Sequence, residues 1–487
     1  MAKMKEDQLR LMEERLCISP RLLATWAGND SCSIFRVPTS FPRINRWTYE
    51  PQFVSIGPYH RGHSSLAMFE EYKWLYLRST LERTKMTLQI LMEAIDPLEK
   101  KARECYSENV QINSEKFMEM MLLDGCFIIE LLRREAVLFG SKDKDPIFIL
   151  PWILPSLAQD LLKLENQIPY CILHRLFESI EGPYPDNTLP LLALRFFYRV
   201  SGKPKNVNNS FAGKELKHLL DLVRQSYIEG FPKSSGEGGS STASRASRML
   251  KKSIDPFRKL MTQLRRLRPK KSERPDIPPI RGACHAYHRK KKTPRRSQED
   301  YLSVISTMSK LSQSGIRAKQ AGEESFLQVA FKNGKLYMPT ITFSDSMGPF
   351  LHNCISYEQC HGRTKLEFTT YAVLLDCLID TTQDVEYLCE AKIIENLLGS
   401  NEELASLING LGKEVSYDLE SSNRYDAFME IDKYYKNSWH RHWASFKSSY
   451  MRTPWIFLST VAAIILLLLT FIQTLYTVLG YYHSKSN

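Results

Sequence analysis

Apolar residues recur at helical spacing along most of this chain, which predicts a mainly α protein. Leu66–Ile95 reads as one long amphipathic run. Asp96-Pro97 then reads as an N-cap followed by proline at the first helical position. Ser114–Arg134 (SEKFMEMMLLDGCFIIELLRR) is strongly apolar and is predicted to lie at the centre of the core. Proline-punctuated helices follow over Leu157–Leu164, Pro169–Phe177 and Leu189–Val200, and Lys214–Ile228 closes the first half. Beyond a gap in the pattern, Tyr301–Leu311 is a weak helix. Stronger ones are predicted over Asn353–Gln359, Thr369–Ile379, Val385–Leu398, Glu402–Leu411 and Asp426–Ser449. Thr381 and Asp384 have the spacing of a capping box. A minor β-hairpin is predicted from Phe326–Phe331 and Lys335–Met338, joined at Asn333-Gly334, since Asn-Gly suits a type I′ turn.

One stretch breaks the amphipathic rule. Trp455–Gly480 (WIFLSTVAAIILLLLTFIQTLYTVLG) contains no charge. As a helix it would be about 39 Å long, against about 30 Å of bilayer hydrocarbon, so it is predicted to span a membrane. Lys433, Lys436, Arg441, Lys447 and Arg452 precede it, and Lys485 follows. The positive-inside rule then places the body in the cytosol and the short tail outside. The charged start MAKMKEDQLRLMEERLC has no apolar signal region, which fits anchoring by the C-terminal helix. In that topology the ten cysteines are expected to be reduced, and the sequons at Asn29 and Asn208 idle. Thr470, Gln473, Thr474 and Thr477 share one stripe of the span. They would either contact a partner helix, giving a homo-oligomer, or bond back to their own helix.

Charge divides the chain unevenly. The formal net charge is +12, yet residues 232–297 alone hold 20 Lys and Arg against four acids, leaving the remainder at −4. That segment opens with a Gly/Ser tract and is too charged and proline-rich to build a core, so it is expected to be mostly disordered. Within it, 247–267 could form a basic amphipathic helix. Three roles are open to it: a solvated insertion, a contact with anionic lipid, or a nuclear-import or nucleic-acid patch. The membrane anchor argues against the last, so nucleic acid is not an expected partner.

Candidate chemistry is sparse. His352, Cys354, Cys360 and His361 cluster in sequence, but Cys354 and Cys360 do not share a helix face, and zinc needs four converging ligands. Cys284, His285 and His288 lack a fourth ligand. Gly412-Lys413 resembles the end of a phosphate-binding loop, but Leu407 and Glu414 stand where that motif needs Gly and Ser or Thr. Asp124, Glu130, Asp160 and Glu165 lie among apolar residues, where a carboxylate either serves the fold or is tuned for acid–base work. Asp160, Glu165, Asn166 and Gln167, with Asp124, form the densest polar cluster in an apolar context. They are expected to bond helix ends or loops. No catalytic, metal or cofactor residue is assigned.

Several blocks resemble the plant "domain of unknown function 247" family: IFRVPTSFPRINRWTYEPQFVSIGPYHRG (34–62), FMEMMLLDGCFIIELL (117–132), DLLKLENQIPYCILHRLF (160–177), HLLDLVR (218–224), CISYEQC (354–360), TTYAVLLDCLIDTTQDVEYL (369–388) and LLGSNEELASLINGL (397–411). The resemblance covers about residues 34–480. It implies a mostly α plant protein with a C-terminal anchor and no established catalysis. Its implied organisation is an extension (1–33), two halves of one domain (34–231 and 298–450) around the basic insertion (232–297), the span (455–480) and a tail (481–487). Some grass relatives are linked to pollen self-incompatibility as partners of small secreted proteins.

The expected function is therefore a single-pass, non-enzymatic interaction or recognition protein at the plasma membrane. Its expected partners are membrane lipid and an unidentified protein, a small secreted protein being one candidate. A lipid-binding scaffold using the basic insertion and an enzyme with a buried carboxylate are the alternatives.

Overall fold

The structure is a computed structural model. It describes residues 31–38, 46–138, 145–182, 188–201, 211, 214–228, 306–322, 325–362, 364–413, 415–416, 425–436 and 454–484, with 8, 10 and 12. Asn29, Asn208, residues 232–297 with Cys284, His285 and His288, and 437–453 lie outside the described residues. Residues 232–297 form a unit of their own, and the description that follows concerns the other.

The first half is built around α4 (Ser114–Leu138). Every residue from Met120 to Leu132 is buried, as a helix apolar on all sides requires. Packed on it are α1 (Ala67–Thr84), α2 (Leu88–Ile95), α7 (Tyr170–Glu181) and α8 (Thr188–Ser201). Gly125 permits the approach of α7, since a Cβ there would collide with Leu176 Cδ1. The short helices α3 (Glu99–Glu104), α5 (Pro146–Ile149) and α6 (Ile153–Asp160) fill in around this centre, and α9 (Leu219–Ile228) ends the half.

Two expectations here need correction. Leu66–Ile95 is two helices, because Lys85 takes a left-handed conformation (φ 58°) that ends α1, its N–H reaching Leu81 O at 2.9 Å. Thr87 then caps α2 by accepting from the Ile90 N–H. Nor is α1 cleanly amphipathic, since it exposes Met68, Trp74 and Leu75. Asp96–Leu98 forms a 3-10 turn with Ile95 at its N-cap, so Asp96 starts the turn and does not cap it.

The second half contains α10 (Met308–Gln313), α11 (Met347–Cys360), α12 (Glu367–Leu378), α13 (Thr382–Glu390), α14 (Asn401–Leu411) and α15 (Tyr425–Lys436). The hairpin is β2 (Ala330–Lys332) antiparallel to β3 (Lys335–Met338), with Lys332 facing Lys335. Asn333 and Gly334 both have positive φ (53° and 73°), as a type I′ turn demands. A third strand, β1 (Arg317–Gln320), pairs parallel with the free side of β3. Val385–Leu398 is not one helix. The chain leaves α13 at Glu390, turns at Lys392 (φ 57°), and runs as β5 (Ile394–Asn396) parallel to β4 (Ile341–Phe343). The Thr381–Asp384 pair does close α13: Asp384 Oδ2 accepts from Thr381 N (3.1 Å) and Oγ1 (3.0 Å). Its other oxygen accepts from Ser309 N and Oγ, tying α10 to α13.

Helix α16 (Pro454–Ser484) holds an 18-residue window, Val461–Val478, of mean hydropathy 2.2 with no part buried. By length and composition it can cross a membrane. The Thr470, Thr474 and Thr477 hydroxyls donate to the carbonyls of Leu466, Thr470 and Gln473 at 2.7–2.8 Å, so each is satisfied within its own helix. The Gln473 amide side chain makes no hydrogen bond among the described residues.

Candidate functional site: a buried polar clamp on residues 50–57

Residues 50–57 (EPQFVSIG) form no helix or strand, yet several of them are buried. Their backbone groups must therefore find partners elsewhere. Side chains from three distant segments supply them.

Asp160, the last residue of α6, accepts the N–H groups of Gln52 (2.9 Å), Phe53 (2.7 Å) and Val54 (3.1 Å). Lys163 sits 3.2 Å from its other oxygen and donates to the carbonyls of Trp47 and Glu50. Burial pulls the Lys163 ammonium pKa down, and the Asp160 charge opposes that. Asn166 continues the clamp: its Oδ1 accepts from Ile56 N at 2.6 Å, and its Nδ2 donates to Val54 O and Asp160 O at 3.0 Å. Gln167 donates to Leu161 O (2.7 Å) and Lys163 O (2.9 Å), fixing its own turn. Its Oε1 accepts from Leu220 N, joining the turn to α9.

Asp124, inside α4, takes the last amide of the loop, Gly57 N, at 2.8 Å. Its second oxygen pairs with Lys73 Nζ of α1 at 2.7 Å, and both side chains are at most 1% exposed. Burial raises the Asp124 carboxyl pKa, while Lys73 counters it. Lys73 also donates to Ser55 O and Glu70 Oε1. Gly57 has φ 74°, and a Cβ there would strike Gln167 O, so this corner needs glycine. Glu165 serves the neighbouring strand-like segment, accepting Val37 N at 2.8 Å and lying 3.1 Å from His60 Nε2.

All five polar residues singled out from sequence thus meet around one loop and its flanks. Their partners Lys73, Lys163 and His60, and the nearby Asn353, carried no comparable signal. Asn353 of α11 accepts from Leu164 N (2.8 Å) and donates to Thr48 O (2.9 Å), which joins the two halves of the chain. Lys73 could have been suspected, since it shares the buried side of α1 with Phe69, Tyr76 and Thr80. Glu130, the remaining carboxylate, is buried. Burial would raise its pKa, but hydrogen bonds from Arg133 (2.6 Å) and Arg134 (2.9 Å) outweigh that and hold it low.

Chemically, this arrangement spends its carboxylates on backbone N–H groups and buried cations. Such contacts fix a loop; they do not present an oxygen to a substrate. His352, Cys354 and Cys360 lie on α11 and His361 follows it, with His361 Nδ1 2.7 Å from Thr364 Oγ1. No group of three or more His, Cys, Asp or Glu among the described residues is placed to hold a metal ion. The cysteines among them are free, with Cys32, Cys105, Cys126 and Cys354 buried.

The described residues thus form a mainly helical body with a clamped loop at 50–57 and one helix long and apolar enough to span a membrane. The chain belongs to the DUF247 family, described as a plant protein of unknown function, which matches residues 34–469. It is 32% identical over 475 residues to UPF0481 protein At3g47200 of Arabidopsis thaliana, covering 96% of this chain and 90% of that one. It is 24% identical over 488 residues to Putative UPF0481 protein At3g02645 of the same plant, covering 91% and 89%. No solved structure matches the chain.

Proposed function

We propose that this protein is a membrane-anchored, non-enzymatic interaction protein whose body offers an aromatic surface to a protein partner. The observation that carries this is a run of exposed apolar side chains around Trp152. Trp152 is 53% exposed and its ring lies 5.5 Å from half-buried Phe53, which rests on the buried ring of Phe69 of α1. Ile149 and Leu150, just before Trp152 in sequence, are exposed as well. Large contiguous apolar patches on a soluble surface mark interaction sites, and Trp is the residue most enriched at their centres.

The setting that the family resemblance suggests is recognition between cells, of which self-incompatibility signalling is one form. The charge rule favours a cytosolic body beneath the plasma membrane. In that orientation the partner is a cytosolic protein, or a secreted one that enters the cell. The engagement of Asp124, Asp160 and Glu165 by backbone N–H groups, and of Asp124 and Asp160 by buried lysines, supports a non-enzymatic role.

The test is a photo-crosslinking amino acid at position 152 of the full-length protein in plant membranes. Protein adducts at 152, absent from a control at exposed Lys100, are the expected result. Adducts to lipid alone would favour the scaffold alternative and overturn this reading, as would no adduct in any tissue. Protease protection of sealed membranes, with tags at both ends, fixes the orientation.

A further inference from the structure

A second buried charge cluster lies where α9 meets α11, away from the clamp. Arg224 of α9 is only 4% exposed at its side chain. Its Nε and NH2 donate to Glu358 Oε1 at 2.9 and 2.7 Å, and NH2 also donates to Lys365 O at 2.6 Å. Glu358 is fully engaged: it accepts Phe368 N (3.0 Å), Thr369 N (2.8 Å) and Thr369 Oγ1 (2.8 Å), and so sits at the N-terminus of α12. The remaining guanidinium nitrogen, NH1, is different. Its nearest acceptor is Asp221 Oδ1 at 3.8 Å, too far for a hydrogen bond.

Asp221 is equally lopsided. Its Oδ2 accepts from Lys217 N (3.2 Å) and from Gln225 Nε2 (2.7 Å), while Oδ1 has only the distant NH1. One buried donor and one buried acceptor therefore stand side by side with capacity to spare. They line an open cleft of about 210 Å³ with Glu215, Lys217, Ile228, Tyr357, His361, Thr364 and Lys365.

Charge narrows the ligand. Arg224 is shared between Glu358 and Asp221, and the Lys217 ammonium acts on Asp221 from the rim, yet none of them makes a hydrogen bond to Asp221 Oδ1, which leaves that oxygen open to a positive group on a ligand. The rim carries the opposite bias, with the two lysines Lys217 and Lys365 against one carboxylate, Glu215, which pairs with Lys217 at 3.1 Å. A ligand with one charge of each sign fits both. The cleft is smaller than the roughly 300–1,000 Å³ of sites for drug-sized ligands, so the ligand is small.

We propose that this cleft binds a free amino acid or closely similar zwitterion, its ammonium group on Asp221 Oδ1 and its carboxylate on Arg224 NH1 and the Lys217 ammonium. The Tyr357 ring and Ile228 supply an apolar surface for the side chain. This site is independent of the aromatic surface around Trp152.

The experiment is isothermal titration of the full-length protein in nanodiscs with L-phenylalanine, 3-phenylpropionate and phenethylamine. The two analogues lack the ammonium and the carboxylate in turn. Phenylalanine is expected to bind at least tenfold more tightly than either analogue. Asp221→Asn, with unchanged circular dichroism, should weaken it at least tenfold. Lys217→Met removes a rim charge while leaving its backbone N–H in place, and should weaken binding severalfold if Asp221→Asn does not fold. No heat with phenylalanine would overturn the proposal. So would an analogue that binds as tightly as phenylalanine, or folded variants that bind as the wild type does.

Discussion

Asn166 holds Ile56 across 110 residues of sequence: its Oδ1 accepts the Ile56 N–H at 2.6 Å while its Nδ2 spans Val54 O and Asp160 O. One amide side chain thus satisfies two loop backbone groups, Ile56 N–H and Val54 O, that have no strand or helix to serve them, and ties them to the end of α6.

Replacing Asn166 with Leu leaves Ile56 N–H and Val54 O without a partner, while Asp160 O keeps the Lys163 N–H. An unsatisfied buried group costs about 1–3 kcal/mol, so the loss should be roughly 2 kcal/mol or more. Chemical unfolding of the purified protein in detergent should show a lower midpoint, and unchanged stability would contradict the clamp.

Lys73→Met should destabilise by about 3–5 kcal/mol, because Asp124 is then a buried charge without its cation. The companion change Asp124→Leu in the same chain should recover part of that loss. A double-mutant cycle with additive losses would show that the pair is not coupled.

His218 sets a pH dependence. Its Nε2–H donates to Ser33 O at 3.0 Å and its Nδ1 accepts Asp221 N–H at 3.2 Å, an arrangement available to the neutral ring. Burial drives its pKa down to about 3 from 6.5. The unfolded chain therefore binds a proton that the folded one refuses between pH 6.5 and about 3, and stability must fall as pH falls through that window. Asp221, whose carboxyl burial pushes upward, acts with the opposite sign at the acid end. Stability measured from pH 7.5 to 4.5 should decline in the wild type and flatten in His218→Gln. A wild-type profile flat over that range would refute the assignment.

Gly125→Ala should destabilise by about 1–3 kcal/mol, since the added methyl meets Leu176 Cδ1 across the α4–α7 contact. Combining it with Leu176→Ala should relieve the clash but leave a smaller core. If Gly125→Ala alone matches the wild type in thermal denaturation, the helices are not in close contact there.

Much of this was legible in the sequence, and the limits have physical causes. Asn333-Gly334 announced its turn because the backbone conformation is set by those two residues themselves. The polar residues of DLLKLENQ stood out because apolar neighbours surround them, but their partners could not be read, since the loop they hold lies about a hundred residues upstream. Lys73 was hidden because a lysine on a helix ordinarily faces water. The break at Lys85 was missed because the apolar spacing continues on both sides of it. Ile393 and Ile394 suit a helix or a strand, and the parallel pairing with β4 decides for strand only in three dimensions. The same holds for β1, whose RAKQ sequence has no apolar alternation at all.

The clamp on residues 50–57 also orders events in time. The loop's amides are complete only when Asp160 and Asn166 arrive, about 110 residues later in synthesis. At roughly 5–20 residues per second this is a wait of roughly 5–20 s. The link from Leu164 to Asn353 needs a further 189 residues. A nascent chain therefore carries an unclamped, partly apolar N-terminal segment while the next 110 or so residues are made. It is a natural client for a ribosome-associated chaperone, and the last contacts to form are those that join the two halves of the sequence.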